Sequence, residues 1–271
     1  EIRFCDWSSD VCSSDLISRN GPSPEMHSAL AAVLLDAGRL KEAESEALSA
    51  VTAQPHDATM IENLVTILLS RGRPDDAMPF IRKQRQRYPL SQGWIAYEAT
   101  AARLTGDPLY RELYDYDRLI RTYDLESPPG WSSMAELNAA LLEMLNARHA
   151  FSNHPLDQSL RNGSQTARNL LTESNRAIQT LLSAFELPIE DYQHAIGNDP
   201  QHLFTARNHG KAAIAAAWSV QLRREGFHVN HFHPQGWISS AYYVAVPPEV
   251  SDETLMSGWL KFPVLDRKSV V

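Results

Sequence analysis

The chain has 271 residues, with 33 acidic against 25 basic side chains and a formal net charge of −8. That balance argues against general nucleic-acid binding, which needs Lys and Arg to neutralise phosphates. No stretch reaches the about 20 consecutive apolar residues of a membrane span, and the only cysteines, Cys5 and Cys12, leave the rest of the chain without a disulfide framework, thiolate metal site or cysteine nucleophile.

Read in chain order, the two ends differ from what lies between them. Asp6–Leu16 resembles one reading frame of a short-read sequencing adapter, and Asp266–Val271 resembles the opposite adapter read to its stop codon. Residues 1–16 and 266–271 are accordingly expected to be adapter-derived, with 17–265 a native piece cut at both ends. The absence of cysteine from that piece fits a reducing, cytoplasmic compartment.

Residues 17–125 repeat. Gly38, Gly72 and Gly106 are spaced by 34, as are Pro55 and Pro89, and Ala43 and Ala77. Glycine breaks the chain between two helices, alanine lets them approach closely, and proline ends the second. The spacing predicts helices over 24–37, 41–54, 58–71, 74–87 and 91–104. The third repeat departs from the pattern, with Arg111 where alanine is expected and an acidic, aromatic run over Leu113–Asp117. This pattern resembles the tetratricopeptide repeat. The resemblance implies either a packing scaffold or a concave surface for a peptide or protein ligand. Ser127–Gly130 reads as a break, followed within 126–150 by a connecting helix over 132–149.

From 151 to 265 the period changes. An apolar face over Leu170–Leu187 predicts a helix ended by Pro188. Ala213–Leu222, Phe227–His233, Trp237–Val246 and Gly258–Phe262 read as short strands, which suit an antiparallel jelly roll. Trp218, Trp237 and Trp259 are expected as core anchors. His149, His154, His194, His202 and His209 lack ligand spacing and are expected at caps or on the surface. Arg161 and Gln165 fall in a polar loop with Asn162, Gly163 and Ser164, where arginine could hold an anionic substrate or cofactor through a bidentate contact. His231 and His233 stand two apart, so a strand would aim both imidazoles at one point, as a zinc, copper, nickel or iron ion requires. Tyr242 and Tyr243 alternate faces, one toward the core and the other, taken as Tyr243, toward a pocket.

The run His231–Val244 resembles a family of 2-oxoglutarate/Fe(II) oxygenases within the prolyl-4-hydroxylase-like superfamily. His154–Thr166, Trp218–Leu222 and Gly258–Phe262 fit the same family in order. The resemblance implies a multidomain chain, helical repeats followed by an incomplete double-stranded β-helix with flanking helices. It implies Fe(II), 2-oxoglutarate as co-substrate, and hydroxylation of a C–H bond, with His231 and His233 as iron ligands and Tyr243, Arg161 and Gln165 at the cofactor. The superfamily's second ligand is usually Asp or Glu, whereas His233 stands here. The set is then three histidines, or only one of the pair binds. The distal histidine and the basic residue that holds 2-oxoglutarate are expected beyond Phe262, which leaves 1–271 inactive on its own. Two alternatives stay open: a non-catalytic repeat scaffold with a degenerate β domain, and a cupin-like metal protein of other chemistry.

Overall fold

The computed structural model describes residues 23–149, 159–229, 231, 233, 236–254 and 256–260. The sequence readings on 1–16, 266–271 and His154 lie outside the described residues. The chain divides into two compact units, the first ending at Glu112 and the second beginning at Leu113.

The first unit contains helices α1 (Pro24–Asp36), α2 (Leu40–Ala53), α3 (Ala58–Ser70), α4 (Pro74–Arg87) and α5 (Gln92–Thr105). Each start has a local cause. The Met26 N–H donates to Ser23 Oγ (3.2 Å) and Pro24 occupies the first turn of α1, where a missing N–H costs nothing. The Met60 N–H donates to Asp57 Oδ1 (2.9 Å) at the start of α3. The ends of α1, α3 and α5 share one device. Gly38, Gly72 and Gly106 take φ of +72°, +66° and +75°. The next residue then donates back five positions, from Arg39 to Leu34 O, Arg73 to Leu68 O and Asp107 to Ala102 O (2.8, 2.9 and 2.9 Å). A glycine in the left-handed region closes the last carbonyls of each helix in this way.

Consecutive helices pack together, and α3 also touches α1 and α5. Ala31, Ala43, Ala47, Ala50 and Ala77 are fully buried at these contacts, small enough to bring the backbones close. Helix α3 sits in the middle and buries Ile61, Leu64, Val65, Ile67, Leu68 and Leu69. The buried Glu44 is paired with Arg71 and with Arg73 (2.6 Å), which offsets the cost of removing its charge from water.

The second unit contains the short helix α7 (Tyr116–Leu119), following α6 (Leu109–Leu113), then α8 (Met134–Asn146), strand β1 (Leu160–Gln165), α9 (Arg176–Ala184), α10 (Glu186–Ile196) and strand β2 (Val220–His228). Residues 113–125, expected with the repeats, instead bond to α10. Arg118 Nη2 donates to Ile196 O (2.7 Å), Tyr192 Oη to Leu119 O (2.7 Å) and Tyr123 Oη to Asp191 (2.8 Å). Leu137, Leu141 and Leu145 make one stripe of α8 and pack on Leu170, Ala177, Ile178 and Leu181, the i, i+4, i+8 geometry of a helix face.

The single helix expected over Leu170–Leu187 is three elements. Leu170–Thr172 is one 3-10 turn. Asn175 Oδ1 then accepts from the Ala177 and Ile178 N–H groups to start α9. Pro188 does not end a helix but lies in the first turn of α10, where no intrahelical donor is lost.

The strands also differ from expectation. β1 and β2 run antiparallel, pairing Leu160 with His228, Arg161 with Phe227, Gly163 with Leu222, Ser164 with Gln221 and Gln165 with Val220. Arg161 and Gln165 therefore belong to a strand and not to a loop. The Asn-Gly chemistry that suggested a turn makes a bulge instead. Asn162 takes φ +51° and its Nδ2 donates to Arg224 O (2.7 Å), while a Cβ on Gly163 would lie 2.7 Å from Gln221 O. None of the four expected strands keeps its bounds among the described residues: one strand, Val220–His228, takes the end of the first and the start of the second. Trp237–Val246 and 258–260 run irregularly, because a strand needs a partner ladder and the described residues give them none. Trp218 and Trp259, expected in the core, are 42% and 51% exposed for the same reason. Among the described residues no helix is long and apolar enough to cross a membrane.

Candidate metal centre

The end of β2 gathers three histidines. Pairing with Leu160 fixes His228, and Ser159 holds it twice, since the Val229 N–H donates to Ser159 O (2.8 Å) and Ser159 Oγ lies 2.9 Å from His228 Nδ1. The chain then leaves the strand. The ring centroids of His231 and His233 are 5.1 Å apart and nearly perpendicular, and those of His228 and His231 are 5.5 Å apart. Trp218 lies 5.3 Å from the His233 ring. His231 Nδ1 is 2.9 Å from Val229 O. A carbonyl can only accept, so it is Nδ1 that donates here.

Burial pushes His228 below the ordinary histidine value, with the neighbouring His231 and His233 adding repulsion. Burial, then the proximity of His231, does the same for His233. Both shifts favour the neutral imidazole, the form that ligates metal. The sequence reading placed His231 and His233 two apart on a strand. Neither is in a strand here, and their rings lie together beyond the end of β2 all the same. His228 was not singled out from sequence. Its signal is the strand end three residues before His231.

The other candidates lie elsewhere. Arg161 follows the partner of His228 on β1, and its Nη1 donates to Leu160 O (3.0 Å). Gln165 is at the far end of that strand, opposite Val220. Tyr243 Oη donates to Gly258 O (3.2 Å). Its ring lines an apolar groove of about 400 Å³ with Val246, Val250, Gly258, Trp259 and Leu260, and no histidine contributes to that groove. Tyr242 is the core tyrosine, edge-on to Phe185 and bonded to Asn138 Oδ1 (2.7 Å).

His149 has a structural part. Its Nδ1 is 2.9 Å from Ser164 Oγ and its Nε2 3.0 Å from Ser219 Oγ, so it ties the chain after α8 to β1 and to the approach to β2. Burial lowers its pKa too. The consequence for stability has a definite sign. Below the ordinary value of 6.5 the unfolded chain binds protons that the folded His149, His228 and His233 refuse, so stability rises with pH in that window. The second unit should have its full stability above about pH 6.5 and lose it as the pH falls through the lowered folded values. Urea midpoints at pH 7.5 and 5.0, read on tryptophan fluorescence, test this. An equal midpoint at both pH values in a His149→Gln background would assign the whole effect to that residue.

The donor set is imidazole only. Among the described residues no group of three His, Cys, Asp or Glu side chains is placed to hold a metal ion. The two-histidine, one-carboxylate set of a non-haem iron oxygenase is therefore incomplete among the described residues. Residues 216–264 match the model of a family described as "Putative 2OG-Fe(II) oxygenase". The match covers all three histidines and Tyr243 and does not reach Arg161 or Gln165. No curated protein matches the chain.

Proposed function

We propose that the second unit is part of a 2-oxoglutarate- and Fe(II)-dependent oxygenase domain, a hydroxylase, in which His231 and His233 supply two imidazole donors. The family match over 216–264, centred on rings 5.1 Å apart, carries this reading. Iron and 2-oxoglutarate together supply the oxidising chemistry, and the protein holds them and excludes water. In the proposal β1 and β2 belong to a double-stranded β-helix. Arg161 suits a carboxylate of 2-oxoglutarate, with Gln165 on the same strand. Tyr243 is the weakest of the cofactor candidates, because its hydroxyl and ring are engaged at the apolar groove.

The first unit fits a tetratricopeptide-type repeat domain that takes a peptide or protein ligand. The support is the recurrence, at the 34-residue spacing, of the same glycine-centred helix end at Gly38, Gly72 and Gly106, with Ala43 and Ala77 buried behind the first two. A second reading is a non-catalytic scaffold, favoured by the lack of a three-donor group among the described residues.

Anaerobic calorimetric titration of the chain with Fe(II), then with 2-oxoglutarate, separates these readings. The oxygenase reading expects Fe(II) uptake that is lost in the His231→Ala/His233→Ala variant, and 2-oxoglutarate binding, where it occurs, only after the metal. 2-oxoglutarate binding that ignores the metal counts against it. No uptake, or uptake that ignores the two substitutions, removes the oxygenase reading.

A further inference from the structure

We propose that the apolar groove over 243–260 docks a short polypeptide segment that presents bulky apolar side chains between lysines or arginines.

Tyr243, Val246, Trp259 and Leu260 are each about half exposed, and all four line the groove of about 400 Å³. Single apolar side chains on a surface are ordinary, but several gathered around one concavity mark a place of interaction. The segment holds its own shape. Tyr243 Oη donates to Gly258 O (3.2 Å) and Trp259 Nε1 to Val250 O (3.4 Å). Gly258 takes φ +73°, and a Cβ there would lie 3.0 Å from Val250 Cγ2. Both polar tips are thus bonded within the segment, so the walls offer a partner mostly carbon.

Charge names the occupant. The stretch 243–260 carries Glu249, Asp252 and Glu253 and no lysine, arginine or histidine. Asp252 Oδ1 accepts from the Thr254 N–H and hydroxyl (2.9 and 2.6 Å). Glu249 and Glu253 are exposed, and Glu249 stands on the 3-10 turn Pro248–Ser251 that brings Val250 to the groove wall. An uncharged apolar molecule would fill the groove and gain nothing from these carboxylates. A bilayer with anionic headgroups would be repelled by them. A polypeptide with apolar anchors and flanking cations meets both, as an apolar interface core with a charged rim does. Rim charges select and steer more than they bind, so the anchors carry the affinity and the carboxylates choose the partner.

Fluorescence anisotropy of labelled octapeptides added to the 271-residue chain tests this. One probe has two leucines flanked by lysine pairs. A second has glutamates in place of the lysines, and a third has serines in place of the leucines. The first should bind at least about tenfold more tightly than either of the others. Its affinity should fall between about 0.05 and 0.5 M salt, as the rim charges are screened. Glu249→Gln/Glu253→Gln should remove that salt dependence, and Leu260→Ser should weaken binding about tenfold, the loss of one anchor contact. All three side chains are exposed, and circular dichroism checks that the variants keep the fold; the comparison of probes on the unaltered chain needs no variant. Equal binding of the lysine and glutamate probes would make the occupant a purely apolar ligand. Equal binding of the leucine and serine probes would reduce the effect to attraction by an acidic chain. Either result, or no binding of any probe, overturns the proposal. Sedimentation velocity of the chain alone covers one more occupant: a dimer that Leu260→Ser dissociates would put a second copy on the groove and overturn it as well. No metal enters these measurements, so their outcome and that of the Fe(II) titration are independent.

Discussion

Leu64→Ala is expected to cost the helical unit about 2–5 kcal/mol, the range for deleting a fully buried leucine side chain beyond Cβ. Leu64 is 0% exposed and stands on α3, the helix that touches α1, α2, α4 and α5. Its neighbours cannot collapse into the space without separating helices that alanines already hold in close contact, so most of the cavity should remain. A domain has only about 5–15 kcal/mol of stability in all, so the helical transition should move to clearly lower urea. Leu48→Ala is the control. That leucine is 43% exposed on α2 and its loss should stay within about 0.5 kcal/mol. Far-ultraviolet circular dichroism against urea reads both. A cost below about 1 kcal/mol at Leu64 would mean that α3 is not the centre of this packing.

The same residues show why the helical half could be read from sequence. A helix is decided within a few residues of itself. Glycine at 38, 72 and 106 and Ser23 or Asp57 at a start act through bonds spanning at most five positions, and the alanines at 43 and 77 recur with them. Expected and observed spans agree closely, for example 58–71 against Ala58–Ser70 and 74–87 against Pro74–Arg87. Strands are decided elsewhere in the chain. Trp218, Val220 and Leu222 alternate with polar residues as a half-buried strand would, yet Leu222 is 42% exposed, because no second layer covers it among the described residues. Asn162–Gly163 carries turn chemistry, and only the distant partner Leu222 makes it a bulge. Pro188 reads as a stop, and only the break at Phe185 puts it at a start instead.

At the candidate centre the legible part was again local. His231 and His233 stand out by spacing alone. His228 does not, since its approach to His231 depends on where β2 ends. That ending is set by β1, through Leu160 and Ser159, residues nearly seventy positions earlier. Arg161 was noticed for its charge and misplaced in structure for the same reason: its strand exists only because β2 pairs with it.

Gly226→Ala should therefore damage the histidine cluster from a position that touches no histidine ring. Between Arg161↔Phe227 and Gly163↔Leu222 the register slips. Asn162 on β1 faces the stretch Arg223–Gly226 on β2, with Glu225 at φ +62°. A Cβ on Gly226 would lie 2.3 Å from Asn162 O, 2.9 Å from Arg223 O and 3.0 Å from Arg223 N. All three are backbone atoms, so no side chain can rotate away and the ladder itself must move. Overpacking of this kind costs about 1–3 kcal/mol and occasionally more, and the upper end is expected here. His228 lies two residues on, and displacing its pairing with Leu160 moves its ring away from His231. Amide exchange across β1 should accelerate even though every histidine is retained. Gly210→Ala separates strain from contact, since Gly210 has φ +70° with nothing within 4 Å of its virtual Cβ. It should cost only the about 1–2 kcal/mol of placing an alanine in the left-handed region and leave exchange across β1 unchanged. Equal exchange rates across β1 in Gly226→Ala and the unaltered chain would show that the bulge does not set the geometry of the cluster.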